Sequence, residues 1–159
     1  MSQDADAIRV WFRLLRLGNR IRVAMAARLR KIDLSLPQCD VLTTLTEEEG
    51  ISQQDLAKKL YVTKGNISGL VDRLNDAGLV ERRSIDGDRR SHALYLTEAG
   101  RGLALAGIAA QRDFVARSFG RMDHDRLRDL ESLLVDLRTL VREAVEENAE
   151  LAGSEEQVA

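Results

Sequence analysis

Between Ser52 and Leu96 a short helical segment, a two-residue break, a second helical segment and a charged hairpin follow one another without a spacer, and few folds accommodate that succession. Ser52 is placed to cap the first helix, with Asp55 three residues on in capping-box register. Leu56, Ala57 and Leu60 form its apolar face, Tyr61 and Val62 make the turn, and Thr63 is the expected N-cap of the next helix. There Ile67, Leu70, Val71 and Leu74 recur at helical spacing, which leaves Lys64, Gly65, Asn66, Ser68, Gly69, Asp72 and Arg73 on the outer face. Each interior glycine costs a helix roughly 1 kcal/mol relative to alanine. A plain surface helix would gain by losing both, so the pattern points to a face that must come close to something else. The plainer alternatives are that the glycines are tolerated accidents or that they pack against a neighbouring helix.

Gly78 suits the C-terminal cap of that helix. Residues 79–85 and 92–96 then read as two short strands, and Asp86-Gly87-Asp88-Arg89-Arg90-Ser91 reads as the tip between them. Arginine at a hairpin tip suits the minor groove of DNA, where negative potential is concentrated and a guanidinium loses little hydration. Arg90 is the candidate, beside Arg89, with Asp88 two residues earlier to hold it. Arg82 and Arg83, on the outgoing strand, suit phosphates, which position a protein without reading sequence. The residues expected to meet a duplex are therefore Ser52, Gln53, Thr63, Lys64, Gly65, Asn66, Ser68, Gly69, Arg73, Arg82, Arg83, Asp88, Arg89 and Arg90. Base edges fall to the N-terminal half of the second helix.

From Leu34 to Arg101 the chain resembles the MarR (multiple antibiotic resistance regulator) family of winged-helix transcription factors. LPQCDVLTTL stands where that family has its second helix, and in DGDRRSHALYLTEAGR an Asp-Arg-Arg wing tip runs into Leu-Thr-x-x-Gly. The resemblance implies a mainly α fold with a small β-hairpin wing. Residues 34–97 would form the winged helix-turn-helix DNA-binding lobe, 4–31 and 98–148 a helical dimerisation base, and 149–159 an acidic tail. It places Asp88 and Arg90 where the family has its wing Asp and Arg. It also implies a homodimer on an inverted-repeat operator, with half-sites about one helical turn, roughly 34 to 36 Å, apart. Repression is the commoner outcome in the family, and the effector is often a phenolic or other lipophilic anion held between base and lobe. No cofactor is implied.

The ends of the chain carry their own argument for a dimer. Leu127, Leu130, Leu134, Leu137 and Val141 fall at spacings of three and four, and Leu133 and Leu140 widen the stripe. Near the N-terminus Ile8, Trp11, Phe12 and Leu15 form one line, and Leu14, Leu17, Ile21 and Met25 another. A helix with two apolar faces needs two partners. The same helix carries Arg9, Arg13, Arg16, Arg20, Arg22, Arg28, Arg30 and Lys31 against Asp4 and Asp6, and the acidic last helix is the natural counter-charge. The alternative is a monomer that folds its ends onto its own core.

Candidate effector-binding residues are Trp11, Arg16, Arg20, Cys39 and Thr43, types that enclose and orient an aromatic carboxylate. Each has a plainer expectation: Trp11 in the core, the arginines solvated or paired with the tail, Thr43 a helix-surface hydroxyl. Cys39 raises a second possibility, redox sensing. Yet Asp40 beside it would raise the thiol pKa and slow oxidation. The lone cysteine excludes an internal disulfide framework. His92 and His124 have no ligand-spaced companion for a metal. There is no Gly-rich phosphate loop and no serine elbow, so an enzyme is not expected. The remaining rival is a winged helix that contacts protein, which has no need of the glycines or of paired tip arginines.

A net charge of −2 looks wrong for a nucleic-acid binder until its distribution is read. From Lys58 to Arg90 eight cations stand against five carboxylates, whereas six glutamates follow Arg142 with no cation among them. Local field, not net charge, sets phosphate affinity. No apolar stretch approaches the roughly 20 residues of a membrane span, and no secretory apolar region follows Met1, so a cytoplasmic location is expected.

Overall fold

The computed structural model describes the backbone of residues 3–85 and 88–156, and the side chains of residues 4–84 and 92–147. Its elements are α1 (Gln3–Leu29), α2 (Leu36–Glu47), α3 (Gln53–Lys59), α4 (Lys64–Asp76), β1 (Val80–Ile85), β2 (Asp88–Leu96), α5 (Glu98–Arg117) and α6 (His124–Glu156). Short 3-10 turns at Arg30–Ile32 and Phe119–Arg121 follow α1 and α5. The chain forms two compact units, 1–114 and 115–159, with α5 running from the first into the second.

Local chemistry sets the helix ends. Ser35 and Gln38 form a full capping box ahead of α2, the Gln38 N–H donating to Ser35 Oγ (3.4 Å) and the Ser35 N–H to Gln38 Oε1 (2.9 Å). At α3 the box is only half made. The Asp55 N–H donates to Ser52 Oγ (3.1 Å), but the Asp55 carboxylate accepts the Ser52 hydroxyl (2.7 Å) instead of its backbone N–H. Thr63 caps α4 by accepting the Asn66 N–H at 3.3 Å.

α3 and α4 both end in the Schellman arrangement, where two successive N–H groups turn back onto helix carbonyls. For α4 these are Gly78 N–H to Asn75 O and Leu79 N–H to Leu74 O, both 2.9 Å. For α3 they are Tyr61 N–H to Lys58 O (3.2 Å) and Val62 N–H to Ala57 O (3.0 Å). The left-handed residue is Gly78 in one (φ 67°) and Tyr61 in the other (φ 53°).

The core of the first unit is drawn from the end of α1, from α2, α3, α4 and from β2: Leu29, Leu42, Leu45, Leu56, Ile67, Leu74 and Leu94 are completely buried. Removing such side chains from water is worth about 1.5–3 kcal/mol each. Ile51 O accepts the Leu94 N–H (3.0 Å) and the Gly50 N–H donates to Leu94 O (2.8 Å), which pins the segment before α3 alongside β2. The Leu-Thr-x-x-Gly motif acquires a physical meaning here. Thr97 Oγ1 accepts the Gly100 N–H (3.0 Å) to cap α5 and donates to Gly78 O (2.7 Å). A Cβ on Gly100 would stand 1.8 Å from Leu79 O, so only glycine lets α5 sit there.

One expected boundary moves. The second strand begins at Asp88, not His92, because pairing uses backbone groups and is indifferent to the charged side chains of that segment. Its register slips: Ser84 lies opposite His92 but Ile85 opposite Asp88, so residues 89–91 are inserted on β2 as a bulge. Within 98–148 the Phe119–Arg121 turn separates α5 from α6, and α6 runs on to Glu156.

Candidate nucleic-acid interface

α4 turns Ile67, Leu70, Val71 and Leu74 inward and Lys64, Gly65, Asn66, Asp72 and Arg73 outward, with Ser68 and Gly69 half-buried at the edge. The space around the two glycines tests one reading of this face. A Cβ at Gly65 would meet nothing within 4 Å, and one at Gly69 would meet only Arg73 Nη1 at 3.7 Å, an ordinary contact. Packing against a neighbouring helix is thereby removed as their reason. The space before α4 is open, and the fold itself has no use for either glycine. Thr63 stands exposed at the head of this face, its oxygen engaged by the Asn66 N–H and its hydroxyl proton free to donate.

Arg82 does not behave as expected. It faces inward, in phase with buried Val80 and opposite Leu94, and its Nη2 pairs with Asp72 Oδ1 (2.6 Å) while donating to Gln53 Oε1 (3.2 Å). Its Nε is buried with no hydrogen-bond partner. One guanidinium thus braces α3, α4 and β1 together, and it is not a free phosphate contact. The alternation Val80-x-Arg82 carried this signal in the sequence. The brace also occupies the Gln53 carbonyl oxygen, and Ser52 gives its hydroxyl proton to Asp55, so both enter the interface already committed. Arg83, one residue on, points the other way. It pairs with Glu81 and lies with its guanidinium carbon 4.0 Å above the Tyr95 ring, still exposed along most of its side chain.

The wing tip residues Asp86 and Gly87 and the side chains of Asp88, Arg89 and Arg90 lie outside the described residues; the backbone of 88–90 belongs to β2. At the wing base, Glu49 accepts the Arg101 Nη2 (2.8 Å) and the Leu96 N–H (3.0 Å). The Arg101 hydrogen bond, then that of Leu96, holds its carboxyl below the usual glutamate range. Sequence reasoning missed this latch, since nothing local links residue 49 to partners about fifty positions away.

The candidate effector residues divide between α1, which carries Trp11, Arg16 and Arg20, and α2, which carries Cys39 and Thr43. Cys39 is completely buried and Gln111 Nε2 lies 3.8 Å from its sulfur. Burial, with the Asp40 charge second, pushes the thiol up to about 11. Such a thiol is protonated and shielded, a poor redox sensor and no lining for a pocket. Thr43 turns its hydroxyl back onto Cys39 O (2.9 Å), one turn earlier on α2. Trp11 is 54% exposed, so the core expectation for it fails within one chain. Arg16 lies over the Phe12 ring at 6.0 Å, and Arg20 is exposed on the same helix.

The expected dimerisation residues are conspicuous for what does not cover them. Ile8, Trp11, Phe12 and Leu15 on α1 are each about half exposed, and Leu134 and Val141 on α6 nearly so; Leu127, Leu130 and Leu137 are partly buried. In the second unit Phe119, Leu127, Leu130, Leu134 and Val135 line an open groove of about 480 Å³, edged by Glu131 and Arg138. Among the described residues there is no helix long and apolar enough to cross a membrane and no group of three His, Cys, Asp or Glu placed to hold a metal.

A sequence model described as the MarR family matches residues 34–92. The HTH-type transcriptional repressor Rv2887 of Mycobacterium tuberculosis (strain H37Rv) is 31% identical over 133 residues, covering 84% of this chain and 96% of that protein. The crystal structure of the M. tuberculosis MarR family protein Rv2887 in complex with salicylic acid is similar at a TM-score of 0.62 and 31% identity, covering 78% of this chain and 92% of that one. The Staphylococcus aureus MepR–DNA complex shares the fold at a TM-score of 0.76 and 19% identity, covering 82% and 96%.

Proposed function

Because the chain belongs to the MarR family, we propose that it works as a homodimeric repressor which grips an inverted-repeat operator and lets go when a small aromatic anion binds. It is a DNA-binding transcriptional regulator, not an enzyme. The observation that carries the finer reading is the open, glycine-bearing face of α4, which sacrifices helix stability for nothing the fold needs.

In this reading Lys64, Asn66 and Ser68 meet base edges and nearby phosphates in the major groove, with Gly65 and Gly69 letting the helix backbone approach. Thr63, Arg73 and Arg83 supply sequence-independent phosphate contacts. Arg90, steadied by Asp88 and flanked by Arg89, enters the minor groove from the wing. Arg82, Gln53 and Ser52 hold the frame. The half-exposed apolar lines of α1 and α6 support a second copy covering them, which gives two α4 helices and two wings on one duplex.

The salicylic acid complex of Rv2887 supports a phenolic or lipophilic anion as effector class. Such a ligand releases DNA only through a higher affinity for the form that does not fit the operator. Of the candidate residues, Trp11, Arg16 and Arg20 keep accessible side chains for that role; Cys39 does not.

Binding to duplexes enriched by the protein from a random-sequence pool tests the reading. Expected are two chains per duplex by sedimentation, two protected half-sites one helical turn apart, affinity that falls steeply with salt, and release by salicylate. A single protected half-site with one chain bound would overturn the homodimeric inverted-repeat reading.

A further inference from the structure

α3 and α4 close with the same hydrogen-bonded turn, yet one places glycine and the other tyrosine at the left-handed position. A left-handed backbone is nearly free for glycine and unfavourable for a bulky side chain. Tyr61 adopts it at φ 53° and is 96% exposed, the most exposed of the large apolar or aromatic residues described. Its ring therefore returns almost nothing to the fold for the strain. At Gly78 the same geometry is met without penalty, so the chain has the cheaper solution available and does not use it.

The position of Tyr61 says what the ring is for. It lies two residues before Thr63, the cap of α4, and three before Lys64, at the end of α4 that opens the proposed interface. We infer that Tyr61 is a further DNA-contacting residue: its ring lies along the sugar-phosphate backbone beside the half-site, with the phenol O–H donating to a phosphate oxygen. The left-handed turn holds it outward. This deepens the reading of the α4 face and rests on it. Because the contact carries no charge, it strengthens binding without adding to the salt dependence, unlike Lys64.

Three full-length variants test it on a duplex enriched from a random pool by the wild-type protein: Tyr61→Gly, Tyr61→Phe and Lys64→Ala. Tyr61→Gly is expected to melt at or above the wild-type temperature, to keep its oligomeric state, and to bind roughly fivefold to tenfold more weakly with an unchanged salt slope. Tyr61→Phe should lose part of that affinity, and Lys64→Ala should lower the slope by about one. Equal affinity in wild type and Tyr61→Gly overturns the inference while leaving the α4 reading intact. A lower melting temperature or a dissociated dimer in Tyr61→Gly overturns it too, by giving the ring a structural purpose. A wild-type protein that enriches no duplex removes the α4 reading and this inference together.

Discussion

Leu42 and Leu74, in the lobe that carries the hairpin, are completely buried, whereas Trp11 on α1 and Leu133 on α6 are 54% and 64% exposed, although all four belong to apolar helix stripes. The lobe, together with the end of α1, completes its core from one chain. The long terminal helices do not, and apolar surface on that scale ordinarily marks a place where another protein sits. Sequence patterning tells which face is apolar but not whose surface covers it.

A charge placed on the uncovered side should have the largest effect. Leu134→Glu is expected to weaken dimerisation by about two orders of magnitude or more, since an unpaired charge buried in an interface costs several kcal/mol. Sedimentation reads this directly, and an intact dimer at the wild-type concentration would contradict the assignment. Leu42→Ala acts on the other region. It should cost the lobe about 2–5 kcal/mol of unfolding free energy in urea, with the interface between copies unaltered.

Smaller effects sharpen the line between frame and contact. Arg82→Met should lower stability by about 1–2 kcal/mol by releasing Asp72 and Gln53. Arg83→Ala, its neighbour on the same strand, should leave stability nearly unchanged and reduce the salt slope of DNA binding by about one. Interchanged outcomes for the two arginines would undo the brace. The smallest effect belongs to Glu49. Its folded pKa lies below the ordinary value of 4.5, so its contribution is complete at neutral pH and is lost only as pH falls through the folded value. Glu49→Gln should therefore be less stable than wild type at neutral pH, and the two melting curves should converge in acid. A gap that persists below the carboxylate range would show that the latch is not ionic.

What was legible in the chain follows from how locally each feature is encoded. Thr63, the α4 stripe and Gly78 announce themselves within a few residues, because capping and helical period are local physics. The Arg82 brace was half visible, in the phase it shares with Val80, but its partners Gln53 and Asp72 come from two other elements. Glu49 was invisible, being joined by folding alone to Leu96 and Arg101. Trp11 is ambiguous for a different reason: an apolar residue reads as core whether its cover is its own chain or another.

Gly69→Ala puts the open face of α4 to the test. Nothing in the fold obstructs the added methyl group, so the variant should be more stable by roughly 0.5–1 kcal/mol. In the same preparation its affinity for the enriched duplex should fall, because the methyl group stands where the groove wall must come. Stability and affinity moving in opposite directions is the predicted result; a stabilised protein that binds the duplex as tightly as wild type would contradict it.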